Sequence, residues 1–152
     1  MFNHEPENYS CPYCEIAQGN FANDMVSNKE DIIYKDEIVT AFISPCWWKK
    51  NKGHVIIITN SHIENLYDLP DDLSAKIHEL EKKIAVAMKE AYQCDGISTT
   101  QQNEPCSGQD VWHYNLHIVP RYTGDGLYKT KWQTSKPEER FICAALLRDY
   151  IK

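Results

Sequence analysis

The sequence predicts an α+β fold built on a largely antiparallel sheet, and three observations carry that expectation. Short runs rich in β-branched and aromatic residues recur between turn signals. Only two stretches repeat apolar residues at steps of three and four, one long and one near the C-terminal end. Strands and helices do not alternate in βαβ fashion, which removes the usual route to a parallel sheet.

Residues 1–10 are polar, include Pro6 and read as an irregular lead-in. Cys11-Pro12-Tyr13-Cys14 follows, then a short segment around Ile16 to Phe21. Asp31 to Tyr34 and Ile38 to Ile43 are expected strands joined by a hairpin turn at Lys35-Asp36-Glu37. Ser44 to Lys52, with two tryptophans and three lysines, is expected to be a loop closed by Gly53. His54 to Thr59 is almost uniformly apolar, which predicts a central strand covered on both faces, and Asn60-Ser61-His62 then turns the chain. The clearest helix runs from Asp72 to Tyr92, where Leu73, Ile77, Leu80, Ile84, Met88 and Ala91 form one apolar stripe. Asp71 and Asp72 suit its start, where free amides and the helix dipole favour negative charge, and Gly96 is the expected stop. Ile97 to Gln102 should be the next strand, Asn103 to Gln109 a turn, and Trp112 to Arg121 a further strand. Residues 121–137 look irregular, and an amphipathic helix is expected from about Pro137 to Ile151, with Phe141, Ala144, Ala145 and Leu147 apolar. With no repeat, low-complexity tract or linker, residues 1–152 are expected to be one domain.

Hydrophobic residues make up 42% and charged residues 25% of the 152, as in ordinary soluble proteins. A net charge of −6 argues against nucleic acid gripped through its phosphates, yet allows a local site for a small phosphorylated ligand. The chain shows no apolar run after N-terminal basic residues and no 18-residue apolar span, so a cytoplasmic setting without membrane insertion is expected. In a reducing compartment Cys11 and Cys14 read as metal-binding or redox-active, while Cys46, Cys94, Cys106 and Cys143 read as buried or incidental thiols.

The expected strand Trp112 to Arg121 holds the most informative pattern. Alternation puts His113, Asn115 and His117 on one face, and Trp112, Tyr114, Leu116 and Ile118 on the other. A half-buried strand showing polar residues to water gives the same pattern. Four residues of strand separate the two histidines by about 13 Å, too far for both to bind one ion with Zn–N bonds of about 2 Å. They therefore belong to neighbouring sites. Cys11 and Cys14 could supply two thiolates to a tetrahedral metal, with His62 and His113 the candidates to complete it, and His54, His78 and His4 less well placed. A redox dithiol and two ordinary thiols are the rival readings. The turn from Asn103 to Asp110 could approach an anion through Gly108 and donors on Ser107 and Gln109. Ser44 and Asn51 could contact a sugar, or be plain loop residues.

The stretch from Gly108 to Arg121 resembles the signature of the histidine triad (HIT) family, a run of His-apolar-His-apolar-His followed by two apolar residues. Ala41-Phe42-Ile43, Gly53 to Ile58 and His62 to Leu69 follow that family's order, so the resemblance covers about residues 11–126. It implies a roughly five-stranded antiparallel sheet with a long helix, usually paired as a homodimer. The function implied is hydrolysis or transfer of nucleoside phosphoryl groups, on nucleoside phosphoramidates or dinucleoside polyphosphates, with a purine nucleotide as small-molecule ligand. His113 and His117 match the first and third histidines; Asn103, Gly108 and Asp110 fall where the family contacts ribose and phosphate. Members with an N-terminal Cys-x-x-Cys bind structural Zn2+, whose ligands here would be Cys11, Cys14, His62 and His113.

Two departures matter. The family's nucleophile is the middle histidine, and this chain has Asn115 there. A neutral imidazole attacks phosphorus through a free lone pair, whereas an amide nitrogen's lone pair is delocalised into its carbonyl. Asparagine can still hydrogen-bond a phosphate oxygen, so binding is expected to survive where covalent chemistry does not. Such a chain is either a natural binding or regulatory protein or a form made to hold substrate without turnover. Ser44 stands where many relatives carry an acidic residue that grips the ribose hydroxyls, which implies a weaker hold on the sugar.

Overall fold

The computed structural model describes residues 2–21 and 27–151. Five strands form one antiparallel sheet: β1 (Ile32–Lys35), β2 (Val39–Ile43), β4 (Val55–Thr59), β6 (Asn115–Arg121) and β5 (Gly96–Thr100), in that spatial order. Asp36 makes the β1–β2 turn, its Oδ1 accepting the amides of Ile38 and Val39, both at 2.9 Å. β4 lies at the centre, with all five residues buried, as its unbroken apolar run requires.

Alternation divides the sheet into two faces. Val55, Ile57, Leu116 and Ile118 face the main core, into which α2 (Asp71–Tyr92) buries Ile77, Leu80, Ile84, Ala87 and Met88. A C-terminal helix, α4 (Pro137–Arg148), adds Ala144 and Leu147 to the same core. On the opposite face Phe42, Ile56 and Ile58 pack against Ile16 and Ala17 of α1 (Pro12–Gln18). Gly53, at φ +80°, precedes β4; a Cβ there would come within 2.6 Å of the Tyr92 ring, so only glycine admits this approach of sheet and helix end.

Several expectations are corrected. The Ser44–Lys52 segment contains a strand, β3 (Cys46–Trp48), paired with β7 (Trp132–Thr134) in a separate two-stranded sheet. Helix α2 ends before Gly96: Gln93 takes the left-handed conformation at φ +50°, and its side chain donates to the free Glu90 carbonyl at 2.6 Å. Gly96 instead opens β5. The Asn103–Gln109 turn contains one helical turn, α3 (Glu104–Ser107), with Gly108 at φ +97° ending it. β6 begins only at Asn115, so His113 lies outside the strand, and Trp112 packs beside His4 instead of in the main core. In α4 Arg140 is buried alongside Ala144 and Leu147, while Ala145 is exposed. The Arg140 guanidinium sits 2.9 Å from Asp31, and both side chains are fully buried, the arrangement that makes a buried charge tolerable.

Ile84→Ala, at a fully buried position facing the sheet, should lower the free energy of unfolding by about 2–5 kcal/mol. Urea unfolding would show it as a lower midpoint at unchanged slope.

Candidate functional site

Cys11 immediately precedes α1 and Cys14 lies in its first turn, so a single turn of helix brings both thiols to one point. Pro12 suits the first helical position, where its missing N–H costs nothing. Cys11 Sγ lies 3.2 Å from His113 Nδ1, and Cys14 Sγ lies 3.2 Å from His62 Nδ1 and 3.6 Å from His113 Nδ1. The four donor atoms all fall within 4.8 Å of one another. Bonds of about 2.3 Å to sulfur and 2.0–2.1 Å to nitrogen put tetrahedral ligands roughly 3.5 Å apart, so this donor set could hold a metal ion.

The far side of each ring supports that orientation. His113 Nε2 is 2.9 Å from the Thr59 carbonyl oxygen, which can only accept, so Nε2 carries the proton and the Nδ1 lone pair faces the thiols. His62 Nε2 is 2.9 Å from Glu5 Oε2, a contact supplied by the N-terminal lead-in. Burial pulls the His113 imidazole down to about 4, which keeps it neutral. Burial, and then Cys11 beside it, pushes the Cys14 thiol up to about 12; a bound cation reverses that balance by drawing off the thiol proton.

The same sheet face carries a cleft of about 860 Å³. Tyr13 and Ile16 of α1 wall it, together with Phe42 and Ile56 from the sheet. Ser44, Gly108, Asp110 and His117 add polar groups. The β4–β6 pairing sets Ile56 opposite His117, and His54, just before β4, comes diagonally alongside. His54 Nε2 and His117 Nδ1 are 2.9 Å apart, and His54 Nδ1 is 3.2 Å from the Cys46 carbonyl oxygen. His54 is 0% exposed, and burial, followed by the neighbouring His117, holds it well below the ordinary histidine range. Burial lowers His117 to about 4, opposed by the Asp110 carboxylate. Trp132 stands nearly perpendicular to the His54 ring, 5.4 Å between ring centres, and meets Trp48 at 4.3 Å.

Of the residues expected from sequence, the structure brings Ser44, Gly108, Asp110 and His117 to the cleft. Asn103, Gln109 and Asn115 are not among the residues lining it. Gln109 ties loops together, accepting from Glu104 N at 2.7 Å and donating to the Glu64 carbonyl at 2.8 Å. Asn103 accepts from Leu66 N at 2.7 Å. Asn115 is buried and donates from Nδ2 to the His113 carbonyl at 2.8 Å. Sequence reasoning missed the part played by His54. The signal was present, since alternation along His54-Val55-Ile56 puts His54 on the face of Ile56, but its partner depended on strand pairing.

A rim network fixes the chain beyond β6. Arg121 grips Asp125 through two bonds of 2.7 and 2.9 Å, Asn51 Nδ2 donates to the same carboxylate at 2.8 Å, and the amides of Tyr122 and Leu127 add two more at 3.1 Å. Leu127 and Tyr128, both lining the cleft, are positioned by this knot.

Comparison with known proteins places these features in context. A family model described as HIT domain matches residues 26–124. "Protein hit" of Bacillus subtilis (strain 168) is 37% identical over 134 residues, covering 86% of each chain. Adenosine 5'-monophosphoramidase HNT1 of Saccharomyces cerevisiae is 26% identical over 74% of this chain and 63% of its own length. Among solved structures, a Zn-bound histidine triad family protein from Mycobacterium smegmatis superposes with a TM-score of 0.75 at 27% identity, covering 93% of each chain.

The Asp125 knot gives the molecule an acid-sensitive rim. The Arg121 guanidinium first, aided by Asn51 and the two amides, holds this carboxyl far below the usual carboxylate range. A depressed carboxyl contributes stability that is complete above its unfolded value, near 3.9, and is lost as pH falls below it. Melting temperature should therefore drop on acidification below about pH 4, and Asp125→Asn should lower it at pH 7 while flattening the acid limb.

Proposed function

The chain belongs to the HIT-domain family, and from that premise we propose that it binds a purine nucleotide in the sheet-face cleft. It is a member of the nucleoside phosphoryl hydrolase or transferase class, of nucleoside phosphoramidate or dinucleoside polyphosphate type, whose usual covalent step is removed by Asn115. The observation that carries this reading is the cleft: an apolar wall of Tyr13, Ile16, Phe42 and Ile56 for a base, and His117 on its floor for a phosphate. Gly108 and Asp110 flank it, and the yeast monophosphoramidase to which the chain is similar supports an adenosine ligand. The reading carries with it a homodimer in a cytoplasmic setting.

Zinc is the ion we assign to Cys11, Cys14, His62 and His113, because two thiolates and two imidazoles suit it and the similar Mycobacterium smegmatis structure holds it. Bound there, zinc would act as a structural cross-link between α1 and the turns before α2 and β6. The chain's own residues supply the binding: α1 presents Cys11 and Cys14 to the metal, and Tyr13 and Ile16 to the cleft. A zinc-stabilised module without nucleotide is the second reading, favoured by the same cluster, and it would show about one zinc per chain with no thermal shift on adding nucleotide.

Titration calorimetry should show AMP or GMP binding more tightly than CMP or UMP; equal or absent binding would count against the base wall. Asn115→His should raise hydrolysis of adenosine 5′-phosphoramidate by about 10²-fold or more, and no gain would remove position 115 from the chemistry. Chelation, or Cys14→Ser, should lower the melting temperature and weaken AMP binding together, and AMP should tighten zinc binding by the same factor.

A further inference from the structure

We propose that residues 2–5 form a strap that holds the Asn103–Asp110 side of the cleft in its binding shape from outside, and that Glu104 is the positioning residue it grips. The proposal adds a control to the nucleotide cleft argued above and rests on that reading.

The turn to be held carries strain of its own. Glu104 opens α3 at φ +67°, a left-handed conformation that L side chains avoid, and it precedes Pro105, where extended backbone is favoured. Such a residue persists only where its surroundings over-determine it. Here they do. The Glu104 amide donates to Gln109 Oε1 at 2.7 Å, Oε1 accepts from the Tyr67 hydroxyl at 3.0 Å, and Oε2 lies 3.1 Å from His4 Nε2. The same turn then delivers Gly108 and Asp110 to the cleft.

The strap's anchor is Glu64. This residue is 3% exposed, and its two carboxylate oxygens accept the amides of His4, at 2.6 Å, and Glu5, at 3.2 Å. A carboxylate so buried loses far more by giving up its donors than an exposed pair does. These two bonds therefore fix the strap, and the His4–Glu104 contact, with side chains 39% and 33% exposed, follows from them. Beside them the buried Asn65 donates to Asn3 Oδ1 at 2.9 Å, and Phe2 stands nearly perpendicular to the Tyr67 ring, 5.4 Å between centres. Glu64 also joins strap to turn: its carbonyl accepts from Gln109 Nε2 at 2.8 Å, and Gln109 holds the Glu104 amide. Strap, Glu64, Gln109 and Glu104 thus close one circuit through His4, while no strap residue lines the cleft. Release of the strap strips Glu64 of its donors and Glu104 of a restraint. Residue 104 can then relax toward extended backbone, taking Gly108 and Asp110 out of place.

The test uses the zinc-loaded full chain, with AMP as probe and amide hydrogen exchange read by mass spectrometry. Glu64→Gln keeps the side-chain shape but turns an NH2 group toward one strap amide. Exchange at residues 4–5 and across residues 103–110 should rise together, by about 10-fold, and the AMP Kd should rise by about 5-fold or more. His4→Ala, at an exposed contact, should weaken AMP binding while the melting temperature hardly moves. Glu104→Gln, which keeps an acceptor for Tyr67, should bind AMP better than Glu104→Ala. In a Glu104→Gly chain, which adopts positive φ without strain, His4→Ala should have no further effect. A released strap above a turn of unchanged protection overturns the proposal, as do strap amides unprotected in the unaltered chain or still protected in Glu64→Gln. AMP binding indifferent to a loosened turn also overturns it and leaves the nucleotide reading intact. A turn loosened with the strap in a chain that binds no AMP removes the nucleotide reading and leaves the strap's hold on the turn standing. If Glu64→Gln fails to fold, the His4→Ala and Glu104→Gly chains decide by the same readouts.

Discussion

The register between β4 and β6 is the constraint on which the remaining structure depends. Pairing Val55 with Ile118, Ile56 with His117 and Ile57 with Leu116 gives the main core its central apolar surface. The same pairing delivers His117 to the cleft and sets it beside His54. Because side chains alternate with a period of two, a slip of one residue would turn His117 into the core and send Leu116 to the cleft. Two unbroken apolar faces therefore hold a polar site in place: the cost of misplacing Ile57 and Leu116 enforces the position of His117.

Backbone carbonyls do a second job in this fold. Thr59 O settles which nitrogen of His113 carries a proton, and Cys46 O does the same for His54. Each carbonyl belongs to a terminal residue of a short strand, Thr59 closing β4 and Cys46 opening β3. The neutral imidazoles are thus oriented without a carboxylate partner, so burial lowers their proton affinity without a charged neighbour of opposite sign to restore it. Asn115 sits between the two systems and ties itself to the His113 carbonyl, a bond that uses one of its two amide hydrogens.

Much of this was legible in residues alone. The apolar run of β4 and the three-and-four spacing of α2 announced their elements, because strong periodicity reports burial directly. His113 and His117 do lie apart, one beside the Cys11 thiol and the other beside His54, although only His117 is in the strand, which starts at Asn115. What escaped was non-local. β3 and β7 have three residues each, too few to show a period, and pair across most of the chain. Arg140 reads as a solvent-facing residue until Asp31 supplies its countercharge from far upstream. His54 reads as the start of a strand until the neighbouring strand gives it His117.

The placement of Trp132 has a consequence for how such a site can diversify. The cleft floor is built by the five-stranded sheet, whereas the tryptophan ring beside His54 comes from β7 of the two-stranded sheet. Floor and roof therefore belong to separate sheets, joined through the chain that leads from β6 to β7 and through the pairing of β7 with β3. Changes in the short β7 strip can reshape what the histidines are able to meet while leaving the fold, the metal cluster and the imidazole pair untouched.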